Sequence, residues 1–127
     1  MHVFVYGTLC DPDTASGVLD DFAYEGPATL DGLHRVDGEY PTLAPGGEVD
    51  GRIIVTDDVA ALDRYEGVDR GLYVRVPIPH ADGGTVQTYV GDPERLGASA
   101  AWPGEGPFRE RVRACATDED VLVHSSP

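Results

Sequence analysis

Apolar runs in this chain are short, and most are cut off by glycine or proline before they reach helical length. Val3-Phe4-Val5 stops at Gly7, the stretch from Phe22 to Val36 is interrupted at Gly26-Pro27, and Pro45-Gly46-Gly47 reads as a turn. Such punctuation favours strands over long helices. Val49 to Val55 is a strand that ends on Ile53-Ile54-Val55. Leu72 to Ile78 and Thr85 to Val90 are two more, joined as a hairpin through Ala81-Asp82-Gly83-Gly84. Pro77 points to an edge or a bulge in the first of these.

Two helices are predicted. Asp11-Pro12 supplies an N-cap and a first-turn proline for a helix through Thr14 to Leu19. Thr56 or Asp57 caps the second, in which Val59, Leu62 and Tyr65-Glu66 recur at helical spacing before the stop at Gly67. Glu39 to Leu43 reads as a loop or short strand. Beyond Asp92 the pattern weakens, with short elements expected from Phe108 to Val112 and from Val121 to His124. About six strands and two helices without regular alternation imply a mixed α/β (α+β) fold with a curled or closed sheet. A chain of 127 residues can bury its own core, so residues 1–127 are expected to form a single domain.

The charge balance excludes several functions. There are 23 acidic residues against nine basic ones, all nine of them Arg, for a net charge of −14. Nucleic-acid backbones would be repelled, so no nucleic-acid partner is expected. The acids are spread along the whole chain, which favours a hydrated surface suited to a high-salt interior over a single acidic docking face. Stability is therefore expected to rise from low to molar salt, and salt-independent unfolding would overturn that reading. No apolar run approaches the roughly 20 residues of a membrane span. Met1 to Tyr6 shows neither basic leader nor cleavage signal, which predicts a cytoplasmic protein. Cys10 and Cys115 lie far apart with no close Cys/His ligand spacing, so no metal site is expected.

Two segments carry chemistry. Tyr6-Gly7-Thr8-Leu9 lies at a strand end just before a helix, where a Gly lets backbone N–H groups turn toward an anion or carbonyl oxygen. A tight turn with a capping Thr would serve the same tetrapeptide. Glu66 closes the second helix, where the negative end of the dipole opposes ionisation, and enclosure by apolar groups would lift its pKa toward an acid/base range. A solvated carboxylate at a helix end is the plain alternative.

The two segments occur in an order that resembles the gamma-glutamyl cyclotransferase-like family. Val3 to Leu9 is similar to the family's opening strand with Tyr-Gly-Ser/Thr-Leu. Leu62-Asp63-Arg64-Tyr65-Glu66-Gly67 followed by Tyr73-Val74-Arg75 is similar to its Leu-Asp-x-x-Glu-Gly and Tyr-x-Arg segments. Tyr40-Pro41-Thr42-Leu43, Val49-Asp50-Gly51-Arg52 and Val86 to Val90 look like the pieces between and after. The resemblance runs from Val3 to Val90 and is closest to the shorter branch with gamma-glutamylamine cyclotransferases and plant stress-induced relatives.

The resemblance implies a small β-barrel-like fold with a cavity between Tyr6–Leu9 and Glu66. It further implies a small-molecule gamma-glutamyl substrate whose α-amine attacks its own γ-carbonyl, giving 5-oxoproline and a released amine or amino acid. Glu66 is then the catalytic acid/base. Tyr6, Gly7, Thr8 and Leu9 bind substrate, Tyr73 closes the cavity, bonds substrate or packs as a core tyrosine, and no cofactor or metal takes part. Tyr40 and Tyr89 either line the pocket or merely pack, Trp102 is a candidate for a lid or surface plug, and Arg75 for a carboxylate partner or a strand-surface residue. Oligomeric state is left open. The rivals are a catalytically silent binding module of the same fold and a hydrolase using Cys10 with His2, His34, His80 or His124.

Overall fold

The computed structural model describes residues 1–125. Its centre is one six-stranded sheet in the order β4-β5-β1-β3-β2-β6. The strands are β1 (His2–Val5), β2 (Ala23–Val36), β3 (Thr42–Val55), β4 (Tyr73–Pro79), β5 (Thr85–Gly91) and β6 (Leu122–Ser125). The helices are α1 (Pro12–Val18), α2 (Val59–Glu66), α3 (Pro93–Leu96) and α4 (Phe108–Asp118). β1 is antiparallel to β3 and parallel to β5, so it lies between the two hairpins. The sheet curls until its outer strands meet: His80, just past β4, bridges Val123 of β6, and Ala81 N–H donates to the Val123 carbonyl at 2.8 Å. This is the curled, nearly closed sheet with helices that the sequence predicts.

Both faces of β1 are covered, which is why its sequence is a continuous apolar run. Phe4 joins Leu30, Leu33, Ile53, Val76 and the α4 residues Val112, Cys115 and Ala116 inside the curl. Val3 and Val5 point the other way, onto Leu9, Ala15, Leu19 and Leu62 from the α1 and α2 side. The caps follow the sequence closely. Asp11 accepts from Asp13 N–H and Pro12 opens α1, while Gly67 ends α2 in the left-handed region at φ 71°. The cap of α2 is Asp58, whose Oδ1 accepts from Ala61 N–H at 3.2 Å, one residue beyond the expected position. Thr56 lies one step further out: its Oγ1 accepts from Asp58 N–H at 3.2 Å while its hydroxyl donates to the Asp21 carbonyl at 2.8 Å, so it braces the capping residue.

Three local expectations are corrected. Gly26-Pro27 does not divide β2, because the strand continues through a register shift between Tyr24 and Gly26. Pro27 falls just beyond the pairing of β6 with Ala28–Asp31, where β2 is locally an edge and tolerates a missing N–H. Pro45-Gly46-Gly47 is not a turn but lies within β3, opposite the shift between Asp31 and Leu33. α3 and the length of α4 were also not anticipated. Asp92-Pro93 repeats the Asp-Pro signature of α1, and Asp92 accepts from Glu94 N–H. α4 runs on past Val112 because Cys115 and Ala116 recur at helical spacing and are buried. Pro77 does lie on an outer strand of the sheet.

Candidate active site

β1 delivers the chain into Tyr6-Gly7-Thr8-Leu9, which turns at once into a 3-10 helix over Thr8–Cys10. Every carbonyl of this loop is bonded. Arg35 Nη1 donates to Tyr6 O, the amides of Cys10 and Asp11 donate to Gly7 O and Thr8 O, the Tyr24 hydroxyl donates to Leu9 O, and Arg52 Nη1 donates to Cys10 O. Arg52 is itself held flat over the Tyr24 ring, 3.6 Å from its centroid. The amides of Gly7, Thr8 and Leu9, in contrast, donate to no protein acceptor among the described residues. A helical first turn leaves its leading N–H groups free, and the fixed carbonyls hold these three in one orientation.

These residues line a cavity of about 340 Å³, a size suited to a small molecule. Tyr6, Gly7, Thr8, Leu9, Glu66 and Tyr73 all contribute to its wall, so the cavity brings together the acid/base and substrate-binding residues expected from the resemblance. Glu66 is the last residue of α2, and its carboxyl makes no hydrogen bond or ion pair among the described residues. Burial pushes its carboxyl up from 4.5 to about 7. α2 is anchored one turn earlier. Asp63 Oδ1 accepts from the Tyr89 hydroxyl at 2.6 Å and pairs with Arg75 Nε at 3.1 Å, and Arg75 and Tyr89 are themselves cross-strand partners on β4 and β5. Arg75 is thus an internal tether for the helix that carries Glu66, not a pocket residue.

The tyrosines are structural walls as well as pocket surface. The Tyr6 hydroxyl donates to Tyr89 O and the Tyr73 hydroxyl to Pro41 O, each at 2.5 Å. Burial raises the pKa of both phenols, and of Tyr89, so all three stay protonated through the neutral range. Tyr73 therefore spends its proton on the backbone and holds Pro41, another wall residue, in place. Tyr40 and Tyr89 line the cavity, whereas Trp102 is buried in the core with Nε1 donating to Leu43 O at 3.2 Å. Pro41, Tyr65, Arg70 and Leu72 also line it and were not singled out from sequence. Tyr65, adjacent to Glu66, bonds Thr8 Oγ1 through its hydroxyl at 2.7 Å and so links α2 to the loop.

The thiol rival finds no support in the geometry. Cys10 is outside the cavity wall, its Sγ–H donates to Val5 O at 3.3 Å, and burial pushes its pKa up. The four candidate His residues are engaged elsewhere, with Glu25, Gly46, Ser125 and Asp31 respectively. Among the described residues, no helix is long and apolar enough to cross a membrane.

Comparison with known proteins matches this arrangement. Residues 3–105 fit the model of the family described as gamma-glutamyl cyclotransferase, AIG2-like, which extends past the last sequence motif at Val90. Protein AIG2 C of Arabidopsis thaliana is 31% identical over 99 residues, covering 70% of this chain and 60% of its own length. The chain therefore spans less than two thirds of that relative. AIG2-like protein A of Arabidopsis thaliana is 33% identical over 113 residues, covering 76% of this chain and 67% of its own. A solved structure described as gamma-glutamyl cyclotransferase aligns with a TM-score of 0.60 over 94% of this chain and 79% of its own, at 18% identity, a likeness of fold. With residues 3–105 matched by the family model and a relative 33% identical over 76% of the chain, the chain belongs to the gamma-glutamyl cyclotransferase, AIG2-like family.

Proposed function

We propose that the protein is a gamma-glutamyl cyclotransferase-type enzyme. It cyclises a gamma-glutamyl group to 5-oxoproline and releases an amine or amino acid, using a small-molecule substrate and no cofactor, within a single domain. The observation that carries this reading is Glu66, an unpaired carboxyl raised to about 7, in the same cavity wall as the free amides of Gly7, Thr8 and Leu9.

The chemistry asks for little more. The substrate's α-ammonium gives a proton to the Glu66 carboxylate, and the resulting amine attacks the γ-carbonyl carbon. As the tetrahedral centre collapses, the bond to the leaving nitrogen breaks and the Glu66 carboxyl returns the proton to that nitrogen. The freed carboxylate then takes the second proton from the attacking nitrogen, leaving the lactam N–H, and passes it to the released amine. A carboxyl near neutrality is a far better proton acceptor than one at 4.5, yet is still partly ionised at working pH. The loop amides hold the substrate in the ring-forming pose. Because nucleophile and electrophile belong to one molecule, orientation supplies a large part of the rate.

Incubation with gamma-glutamyl amines and gamma-glutamyl amino acids, assayed for 5-oxoproline, tests the proposal. At least one substrate is expected to turn over, with kcat/KM climbing with pH and levelling off above an apparent pKa near 7, set by Glu66. An acid limb near 4.5 would mean that Glu66 is not the group titrating. Binding without turnover of any compound would assign the cavity to a silent binding module.

A further inference from the structure

Only two charged side chains stand in the cavity wall, Glu66 and Arg70. They flank the left-handed Gly67, yet Arg70 is not the counter-ion of Glu66. No ion pair joins them among the described residues, and burial is what sets the raised pKa of Glu66. The Arg70 guanidinium folds back over the helix end instead, where a Cβ added to Gly67 would meet its Nη2 at 2.9 Å. Its side chain is exposed.

The cavity therefore has two chemically different ends. Tyr6, Tyr73 and Tyr89 are buried, with relative exposures of 9%, 6% and 3%, and Glu66 beside them is half-buried. Tyr40 and Tyr65 are 54% and 41% exposed, and with Arg70 they form the mouth. A gamma-glutamyl substrate has to bring its α-amine, with the α-carboxylate on the same carbon, to Glu66. Its leaving group then extends toward the mouth. In a chain of net charge −14 an anionic ligand is repelled over most of the surface, and Arg70 is the one wall residue that locally reverses that field.

We infer that Arg70, beside the exposed rings of Tyr40 and Tyr65, forms a leaving-group subsite for a carboxylate, so that the released product is an amino acid or peptide rather than a simple amine. This rests on the cyclotransferase reading of the same cavity. A guanidinium presents a planar fork that a carboxylate can bridge, and the tyrosine rings offer apolar surface to the side chain beside it.

The test compares gamma-glutamyl-alanine with gamma-glutamyl-alaninamide, which differ only in the carboxylate of the leaving group. The parent is expected to favour the acid by about tenfold in kcat/KM. Arg70→Gln should bring the ratio close to one, with the larger loss on the acid, and Arg70→Lys should retain part of the preference. A parent without preference overturns the inference. So does an equal loss on both compounds, which would place Arg70 at the glutamyl end that they share. If neither releases 5-oxoproline, the cyclotransferase reading is decided by the wider series of gamma-glutamyl compounds, and calorimetric titration of the same two compounds decides the subsite. Tighter binding of the acid by the parent but not by Arg70→Gln would support it, and equal or absent binding would sink it.

Discussion

Replacing Glu66 with Gln is expected to lower 5-oxoproline release by about a thousandfold and, in the same protein, to raise stability at alkaline pH. The first effect follows from the absence of any second acid or base in the cavity wall: the other ionisable groups there are Arg70 and tyrosines. The second follows from linkage. Burial raises the folded-state pKa of Glu66 from 4.5 to about 7, so the folded protein holds this proton more tightly than the unfolded chain does. The contribution is fully present below the unfolded value and is lost as pH rises through the folded one. At about pH 8 the buried carboxylate therefore destabilises the fold by up to about 3 kcal/mol, a penalty that Gln does not carry. Urea unfolding at about pH 5 and about pH 8 reads it directly. The two proteins should separate at the higher pH, with the variant more stable. A variant that is less stable there would mean that the carboxylate has a partner in the fold.

A second large effect is expected far from any charge. Gly51 lies on β3 beside the end of β1, and an added Cβ would sit 2.1 Å from the Val5 carbonyl oxygen and 2.8 Å from Phe4 Cζ. Neither neighbour can yield easily. Val5 pairs with Arg52, Phe4 pairs with Ile53, and the Phe4 ring is fully buried. Gly51→Ala is therefore expected to destabilise by about 3 kcal/mol or more, lowering Tm by on the order of 10 °C. Any relief has to come from shifting the end of β1, which leads directly into Tyr6–Leu9, so folded Gly51→Ala should also lose activity. Gly17→Ala is the control, because nothing lies within 4 Å of the added carbon and the site is helical. That substitution should stabilise by about 0.5–1 kcal/mol. Equal stability of Gly51→Ala and the parent would show that β1 and β3 approach less closely than described.

The local grammar of the fold was legible in the chain. Val3-Phe4-Val5 announced a buried strand, Asp11-Pro12 and Gly67 marked helix ends, and Gly83-Gly84 marked a hairpin, because each depends on φ/ψ preferences or spacing within a few residues. Where sequence reasoning erred, a local signal was absorbed by a distant partner. Pro45-Gly46-Gly47 has the composition of a turn, but pairing with β2 carries it through as an irregular strand. Thr56 is a good cap by type, but it is fixed to the distant Asp21 carbonyl and accepts from Asp58 N–H, leaving the first turn of α2 to Asp58.

The candidate site divides in the same way. The order of Tyr6-Gly7-Thr8-Leu9, Glu66-Gly67 and Tyr73-Val74-Arg75 was enough to suggest the family and the residues. Sequence could not show that Arg35, Tyr24 and Arg52, which lie 29, 15 and 42 positions from the carbonyls they bind, would lock the loop and leave its amides free. Nor could it show Asp63 tethering α2 to Arg75 and Tyr89, or Arg70 at the mouth without a carboxylate partner among the described residues. Glu66 is the plainest case. Its place at a helix end was fixed by neighbours in sequence, but its proton affinity depends on desolvation by cavity walls gathered from three other parts of the chain, and only the folded sheet brings those walls around it.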